Sequence, residues 1–600
     1  MKFSKVNAVR IPGGAAKKIR HNGKVLWSPP AARYVSLGDS IAAGHMITDD
    51  WVQLYGGENS QYGKNGNTET LIIPNTYTDL IRDELMTRVG GNVNVTSFAK
   101  SGDRVDDLMA KLDHDVVRNA IAKADYVTVC IGANDVLEPA LSHLEQYINA
   151  GDSALAEIAS IVEGNLANLA NDSYAYSYRS LFDKLNAINP SAIIVFTTIY
   201  NPYKYLWLEE GENGFFAPVL NSIPQMSILG FEVDKLIKDS LLGASVVRTL
   251  FSRVNGLCDW AEKYVTRLND VLREKIASFG NANFLVADTK AVFDSVPDRQ
   301  ITAPKHYNDL VNVEYTRGYN TATMDWGRLY EDSGDAGTFW WNLATKYTSW
   351  SGIDIGGLAT ELVTLMVEKV IVPDIDPHPE AYGHHALAQS FKDTLGWITL
   401  PRRTISFNAG SYGVGSMAEQ NVIVLDGMVP YVSIKANAFA SNTEGYYFAG
   451  WKDANGTLYT NGQVAGLGGD LVLTAQWSNV YAVNVRHSFD SVFHGSGDTG
   501  PMECYALWIE GVEQPDLGAF SGGSRMYNLP YGTNVGVIAQ VDSGSDRSYI
   551  TWNDVKIAGN SDDARHGFRV TSHMDIHFQW NYWLDGLNPQ SYWNCYITTY

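Results

Sequence analysis

Between about residues 31 and 400 the chain alternates two hydrophobic patterns. Short continuous apolar runs, rich in β-branched residues, recur at intervals: "RYVSL" (33–37), "VNVTSFA" (93–99), "YVTVCI" (126–131), "AIIVFTTI" (192–199) and "NFLVAD" (283–288). Runs of this length and composition predict buried β-strands. Between them lie longer stretches whose apolar residues fall three and four apart. The clearest covers 246–276, where Val247, Leu250, Phe251, Val254, Leu257, Ala261, Val265, Leu268 and Leu272 mark one face of a helix. Such alternation predicts an α/β fold in three layers, with helices on both faces of a parallel sheet.

The pattern changes at both ends. Within residues 1–30, "KKIRHNGKVLWS" places Asn22-Gly23 between two strand-like runs, a hairpin signal. "SPPAA" follows as a linker. After "WITLPRR", short alternating runs with many Gly and Asn occupy 401–478. Residues 479–600 are again β-like and rich in Trp and Tyr. Four segments are therefore expected: a β-hairpin leader (1–30), the α/β domain (31–400), and two smaller all-β or β-rich domains (401–478 and 479–600). Six hundred residues exceed what one hydrophobic core organises.

Composition narrows the function. A formal net charge of −21 argues against nucleic acid or an anionic membrane surface as the main partner. The four cysteines, Cys130, Cys258, Cys504 and Cys595, are far apart and show no CxxC spacing. They support neither a zinc site nor a disulfide framework, and buried free thiols are the simpler expectation. The opening "MKFSKVNAVRIPGG" has basic residues but no apolar run behind them, so it does not read as a secretory signal. No apolar stretch of about 18 residues predicts a membrane span. Neither a cofactor nor a metal is expected.

Candidate chemistry centres on "GDS", which occurs twice. In "RYVSLGDSIAAG", Ser40 falls directly after the first predicted strand. Sites in parallel sheets lie at that carboxyl end. The second copy, Gly151–Ser153, sits between two helix-like stretches, where Asp152 or Ser153 reads as a helix N-cap. Three further segments end their elements with polar residues. "VTSFAKSGDRVDDLM" puts Gly102 after the second strand; "VTVCIGANDVL" puts Gly132, Asn134 and Asp135 after the third; "DIDPHPEAYGHHALAQ" puts His378 just before a late helix. A serine hydroxyl needs a base within hydrogen-bond reach, and histidine is the usual one. Acyl transfer also needs donors aimed at the developing oxyanion. The backbone N–H groups of Ser40 and Gly102 and the Asn134 amide meet that need if neighbouring strands end together. Glycine at 102 lets a substrate approach the backbone.

Together these four segments resemble the GDSL esterases, the SGNH-hydrolase superfamily. "GDSIAAG", "AKSGDRVDDLM", "IGAND" and "HPEAYGHHALA" look like its four blocks in order, and "IIVFTTIYNPY" is similar to a segment of many bacterial members. The resemblance covers roughly 31–400, with insertions near 203–245 and 300–370. It implies a flavodoxin-like α/β/α hydrolase domain and a serine esterase. Ser40 would be the nucleophile, His378 the base, and Ser40 N–H, Gly102 N–H and Asn134 the oxyanion hole. The family commonly has Asp three residues before the histidine. Here that position is Ile375, flanked by Asp374 and Asp376. Asp376 is the favoured third member and Asp374 the second choice, with a backbone carbonyl as the alternative. Blander roles are expected elsewhere: packing or solvent-facing positions for His384 and His385, a structural turn for Asp39, and a cap of the helix after the third strand for Asp135. The aromatics of "FWWNLATKYTSW" are expected to pack the core or the insertion.

Two further resemblances bear on context. "ISFNAGSYGVGSM", "GYYFAGWKD" and "LVLTAQW" within 405–477 resemble the internalin-type surface repeat (the Listeria–Bacteroides repeat), a small β-grasp-like module. The first 30 residues and "HFQWNYWLDGLNPQSYWNCYITTY" resemble phage tail proteins. These resemblances imply a virion (phage-tail) or extracellular, cell-surface location. The partners implied are an acylated glycan or small ester, the host cell surface and other phage tail proteins. The alternatives are a bacterial surface or secreted lipase/acylhydrolase, and an inactive receptor-binding tail protein.

Overall fold

The computed structural model describes residues 30–45, 72–136, 152–206, 217–229, 231–235, 237–238, 245–313, 327–349, 352–366, 369–370 and 375–491. It also describes short strands between 10 and 27 and the strand segments of 505–599. The chain forms two compact units. The first comprises residues 1–403, 422–432 and 466–468; the second comprises 404–421, 433–465 and 469–600.

The first unit is built on five parallel strands: β1 (Ala32–Gly38), β2 (Val93–Ser97), β3 (Tyr126–Cys130), β4 (Ile193–Thr197) and β5 (Phe284–Ala287). All five match the runs expected from the sequence to within a residue or two. Their order is β2-β1-β3-β4-β5, every pairing parallel. This is the doubly wound order whose switch point lies between β1 and β3. The central strands have their last positions fully enclosed, with Val127, Val129, Ile194, Val195 and Phe196 all buried. That explains why they read as apolar runs rather than as an alternation.

Helices cover both faces. On one lie α2 (Tyr77–Val89), α9 (Thr289–Asp294) and α12 (Ala381–Thr394); on the other lie α3 (Val105–Lys111), α4 (Asp115–Ile121), α6 (Asp152–Ala170), α7 (Tyr178–Ile188) and α8 (Ser245–Phe279). Their sequences explain their starts and their buried faces. The Thr76 hydroxyl caps α2 by accepting the Asp79 N–H at 3.3 Å, and Ser177 caps α7 in the same way at 3.2 Å. Tyr178, Leu181, Phe182 and Leu185 turn one face of α7 into the core at the i, i+3, i+4, i+7 spacing. In α8 the expected stripe is buried at Val254, Ala261, Val265, Leu268 and Leu272. The second "GDS" opens α6 rather than ending a strand.

Two short elements follow the sheet strands at the site: α1 (Ser40–Ala43) directly after β1, and α5 (Ala133–Val136) after β3. The segment between β5 and α12 adds α10 (Ala336–Tyr347), α11 (Ile355–Met366) and an antiparallel pair, β6 (Val311–Val313) with β7 (Ile375–Pro379). In α10, Phe339 and Trp340 are buried, and the Trp340 indole donates to the Ser222 hydroxyl at 3.1 Å. Trp341, next to it, is half exposed (51%), so only part of that aromatic run packs inside.

The second unit is strand-rich. Arg402–Asn408 runs parallel to Leu471–Ser478, which pairs antiparallel with Tyr447–Lys452. Farther on, a six-stranded sheet is built around Val480–Ser491, Met574–Asp585 and Asn588–Thr599, beside a four-stranded sheet around Tyr505–Ile509 and Asn534–Ala539. Its small core contains Val483, Val485, Leu507, Val535, Val570 and Ile576. Near the N-terminus, Ile19–His21 pairs antiparallel with Lys24–Trp27, the hairpin expected there. Among the described residues, no helix is long and apolar enough to cross a membrane.

Candidate active site

Ser40 is placed by the close approach of two neighbouring strands at their carboxyl ends. β1 ends at Gly38, whose φ is +141°. A Cβ on Gly38 would fall 2.0 Å from the Cys130 carbonyl oxygen at the end of β3, so this approach admits only glycine. The Asp39 N–H donates to that same carbonyl at 3.0 Å. The chain then turns into α1. One Asp39 carboxylate oxygen accepts the Ile41 N–H at 3.0 Å, which makes Asp39 the N-cap. Its structural role is thus the turn expected for it. The other oxygen is buried without a partner. Burial, with Asp103 and Asp135 nearby, pushes the Asp39 pKa up to about 7. The Cys130 thiol below it is buried, free and also pushed up.

The loop after β2 is tied to the end of β1. The Lys100 N–H donates to the Gly38 carbonyl at 2.9 Å. Gly102 follows at φ +83°, exposed, and an added Cβ would meet nothing within 4 Å. Glycine is needed there for its backbone conformation, and the space in front of it is open. Beneath the loop, Lys111 pairs with Asp103, and its Nζ also donates to the Phe98 carbonyl at 2.9 Å. Burial works against both charges of this pair, raising the carboxyl and lowering the amine.

After β3, α5 carries Asn134. Its amide Nδ2 donates to the Asp103 carbonyl at 2.8 Å, joining the loops that follow β2 and β3. A primary amide has two N–H donors, so one remains for a ligand. Asp135 does not cap the helix after β3, as expected from its place in the sequence. It lies within α5, and its Oδ2 accepts the N–H of Val105, the first residue of α3, at 3.2 Å. The carboxylate thus satisfies an open helix start contributed by the neighbouring loop. Its burial raises its pKa to about 7.

His378 stands in β7, between Pro377 and Pro379. These prolines stiffen the backbone but remove two N–H donors, which suits a strand paired on one side only. That side is β6, through Val311 with Pro379 and Val313 with Ile375. Two further bonds hold the segment: the Tyr200 hydroxyl donates to the Pro377 carbonyl at 2.7 Å, and the Glu380 N–H to the Leu310 carbonyl at 2.8 Å. Tyr200 follows β4 and stacks on Phe293 at 4.3 Å between ring centroids. Helix α1 packs against β7. The fold therefore gathers the elements bearing Ser40, Gly102, Asn134 and His378 at the carboxyl edge of the sheet, around the switch point. Asp376 lies in β7, and Asp374 lies outside the described residues.

The sequence from 34 to 391 matches the family model described as GDSL-like Lipase/Acylhydrolase. The chain belongs to this family. Among curated proteins it is similar to the uncharacterised protein YpmR of Bacillus subtilis (strain 168), 26% identical over 120 residues, which is 20% of this chain and 41% of that one. The match thus spans less than half the length of that relative. Among solved structures it is similar to the lipase Lip_vut3 from a goat rumen metagenome (15% identity, 60% of this chain and 97% of that chain, TM-score 0.27). It is similar also to an acetyl xylan esterase from Geobacillus stearothermophilus (16%, 62% and 98%, TM-score 0.24) and to an extracellular lipase from Streptomyces rimosus (15%, 44% and 82%, TM-score 0.25).

Some contacts around the site have no signal in the family's motifs. His45, the residue after the α1 cap Gly44, lies with its ring centroid 4.3 Å from that of His378, the planes inclined at 31°. His384 is wholly buried in α12, as a packing residue would be. The Tyr77 N–H donates to its Nδ1 at 3.3 Å, while Nε2 has no partner; burial, reinforced by His378, lowers its pKa to about 3. An Nδ1 that accepts a backbone N–H fixes the neutral tautomer with the proton on Nε2. His385 is more exposed, with Nε2 3.1 Å from an Asp426 carboxylate oxygen. The described residues contain no group of three or more His, Cys, Asp or Glu arranged to hold a metal.

Proposed function

We propose that the first unit is a serine esterase of the SGNH type, with Ser40 as nucleophile and His378 as base. The observation that carries this reading is the close pairing of β1 with β3 at the switch point, where Gly38 faces Cys130. Support comes from the segments that follow: Asn134 is tied to the Gly102 loop through the Asp103 carbonyl, and α1, which begins at Ser40, packs against the strand bearing His378. His378 takes the Ser40 proton as the oxygen attacks the ester carbonyl. The N–H groups of Ser40 and Gly102 and the Asn134 amide receive the oxyanion. Collapse of the tetrahedral intermediate expels the alcohol, protonated by His378, and leaves Ser40 acylated. Water, deprotonated by His378, then releases the acid. Asp376 is the proposed third member, with Asp374 second: position 376 stands two before 378 in the extended strand β7, a spacing that shares one face, and position 375 does not share it.

For the substrate, the reading is a short acyl group, acetyl first, on a host cell-surface glycan, and for the location a phage tail. Support comes from the strand-rich second unit, where the exposed Tyr412 stacks on the half-buried Tyr446 at 4.2 Å, an aromatic surface suited to sugar rings. The acidic chain is also a poor match for anionic lipid. The N-terminal hairpin resembles the tail-protein leader that would anchor it.

The test is direct. Ser40→Ala should stay folded and lose hydrolysis of p-nitrophenyl acetate, and a fluorophosphonate should label Ser40 and not Ser153. Full activity in that variant, or labelling elsewhere, overturns the mechanism. Acetate release from host wall polymers, with kcat/KM falling as the acyl chain lengthens, supports the glycan reading; preference for long chains overturns it. Deleting residues 1–30 should spare the esterase and abolish incorporation into particles.

A further inference from the structure

We infer that His45 is a positioning residue that braces the imidazole of His378, an inference that rests on the esterase reading above. One residue touches all three segments of the site. Its backbone N–H donates to the carbonyl of Ser40 at 3.0 Å. Its Nδ1 lies 3.4 Å from the hydroxyl of Ser101, the residue before Gly102. Its ring lies against that of His378, centroids 4.3 Å apart and inclined by 31°.

The torsion that turns a histidine ring is broad and roughly two-fold, so a ring is held in plane by its neighbours rather than by its own rotamer. The backbone of His378 is stiff, between two prolines and latched by Tyr200. A flat side chain 4.3 Å away restricts that rotation. The two ends of the brace are anchored differently. The backbone end follows any shift of Ser40, and the ring end is steadied by Ser101. Nucleophile, oxyanion loop and base are thereby coupled through one half-buried imidazole.

His45 takes no proton from the substrate and forms no bond to it, so its removal should act on turnover rather than on binding. On p-nitrophenyl acetate, His45→Ala is expected to lower kcat roughly ten- to a hundredfold with little change in KM, the size of effect that a small misplacement of a reacting group produces. Fluorophosphonate labelling of Ser40 should slow by a similar factor. His45→Phe, which keeps a flat ring but neither nitrogen, should recover most of the lost kcat. Ser101→Ala should lower kcat in the same direction by a smaller factor, and it replaces His45→Ala if that variant does not fold. A wild-type kcat in His45→Ala, a loss confined to KM, or a His45→Phe enzyme no faster than His45→Ala overturns the inference. Ser40→Ala and His378→Ala run beside these as controls. If they keep turnover, the esterase reading itself is wrong; if they are inactive while His45→Ala is not, only the brace is.

Discussion

Replacing Asp39 by asparagine should change how the stability of the first unit depends on pH. In the native structure this carboxyl is buried at the carboxyl ends of β1 and β3, with one oxygen bonded to the Ile41 N–H and the other without a partner. Desolvation is the largest influence on it, and it raises the pKa from 3.8 to about 7. The sign follows from linkage. Between these values the folded chain holds a proton that the unfolded chain has released, so stability falls as pH rises. The contribution is fully present below about pH 4, declines through the window from about 4 to 7, and is gone above it. A rise of this size corresponds to about 4 kcal/mol. Asparagine keeps an oxygen for the Ile41 N–H and never ionises. Asp39→Asn should therefore remove a decline of about 4 kcal/mol between pH 4 and 7. Relative to wild type, it should gain stability most at pH 8. Asp135, raised to about 7 by its own burial, lies on the same slope and keeps part of the decline in the single variant. The assay is urea unfolding at pH 5, 6, 7 and 8, followed by tryptophan fluorescence. A wild-type slope between pH 5 and 7 in Asp39→Asn would refute the argument, because the buried carboxyl would then be carrying no proton that unfolding releases.

Other outcomes follow from the same contacts. Asp376→Asn should lower kcat more than Asp374→Asn, since the carboxylate beside the base fixes its tautomer and stabilises the imidazolium. Near-wild-type turnover in both would leave that role to a carbonyl or water. Tyr200→Phe deletes the bond to the Pro377 carbonyl and should cost about 1–2 kcal/mol of stability. It should also reduce kcat, as read by steady-state kinetics beside urea unfolding; unchanged kcat would mean that the latch does not position His378. Gly38→Ala, which would drive a methyl to 2.0 Å from the Cys130 carbonyl, should destabilise the unit by at least about 2–3 kcal/mol. Soluble, fully active protein at wild-type yield would show that the close approach of Gly38 to Cys130 can open.

Much of this arrangement was legible in the order of residues. The five sheet strands stand out because strands enclosed on both faces must be apolar at successive positions, and the long helix α8 because only one of its faces is enclosed. The same local logic separated the two "GDS" copies: Ser40 follows an apolar strand, whereas Ser153 lies in the first turn of α6. Local reading failed where a polar group serves a distant segment. Asp135 was expected to cap its own helix, and it satisfies the start of α3 some thirty residues away. His45 had no role in the pattern, yet its ring meets His378 across more than three hundred residues.

By itself, then, the sequence determined the layers, the strand positions, the parallel α/β class and the membership of the four motif blocks in one family. These depend on periodicity, on turn chemistry and on glycine at Gly38 and Gly102, all of which act over a few residues. Only the tertiary structure decided the strand order, the pairing of β1 with β3 whose Cys130 carbonyl accepts the Asp39 N–H just before Ser40, and the β6–β7 pair that presents His378. It also decided the set of contacts that His45 makes with nucleophile, loop and base. The reason is physical. Hydrogen bonds and ring contacts between segments hundreds of residues apart exist only once the sheet has closed and its helices have packed, and the side chains that make them bear no local mark of their partners.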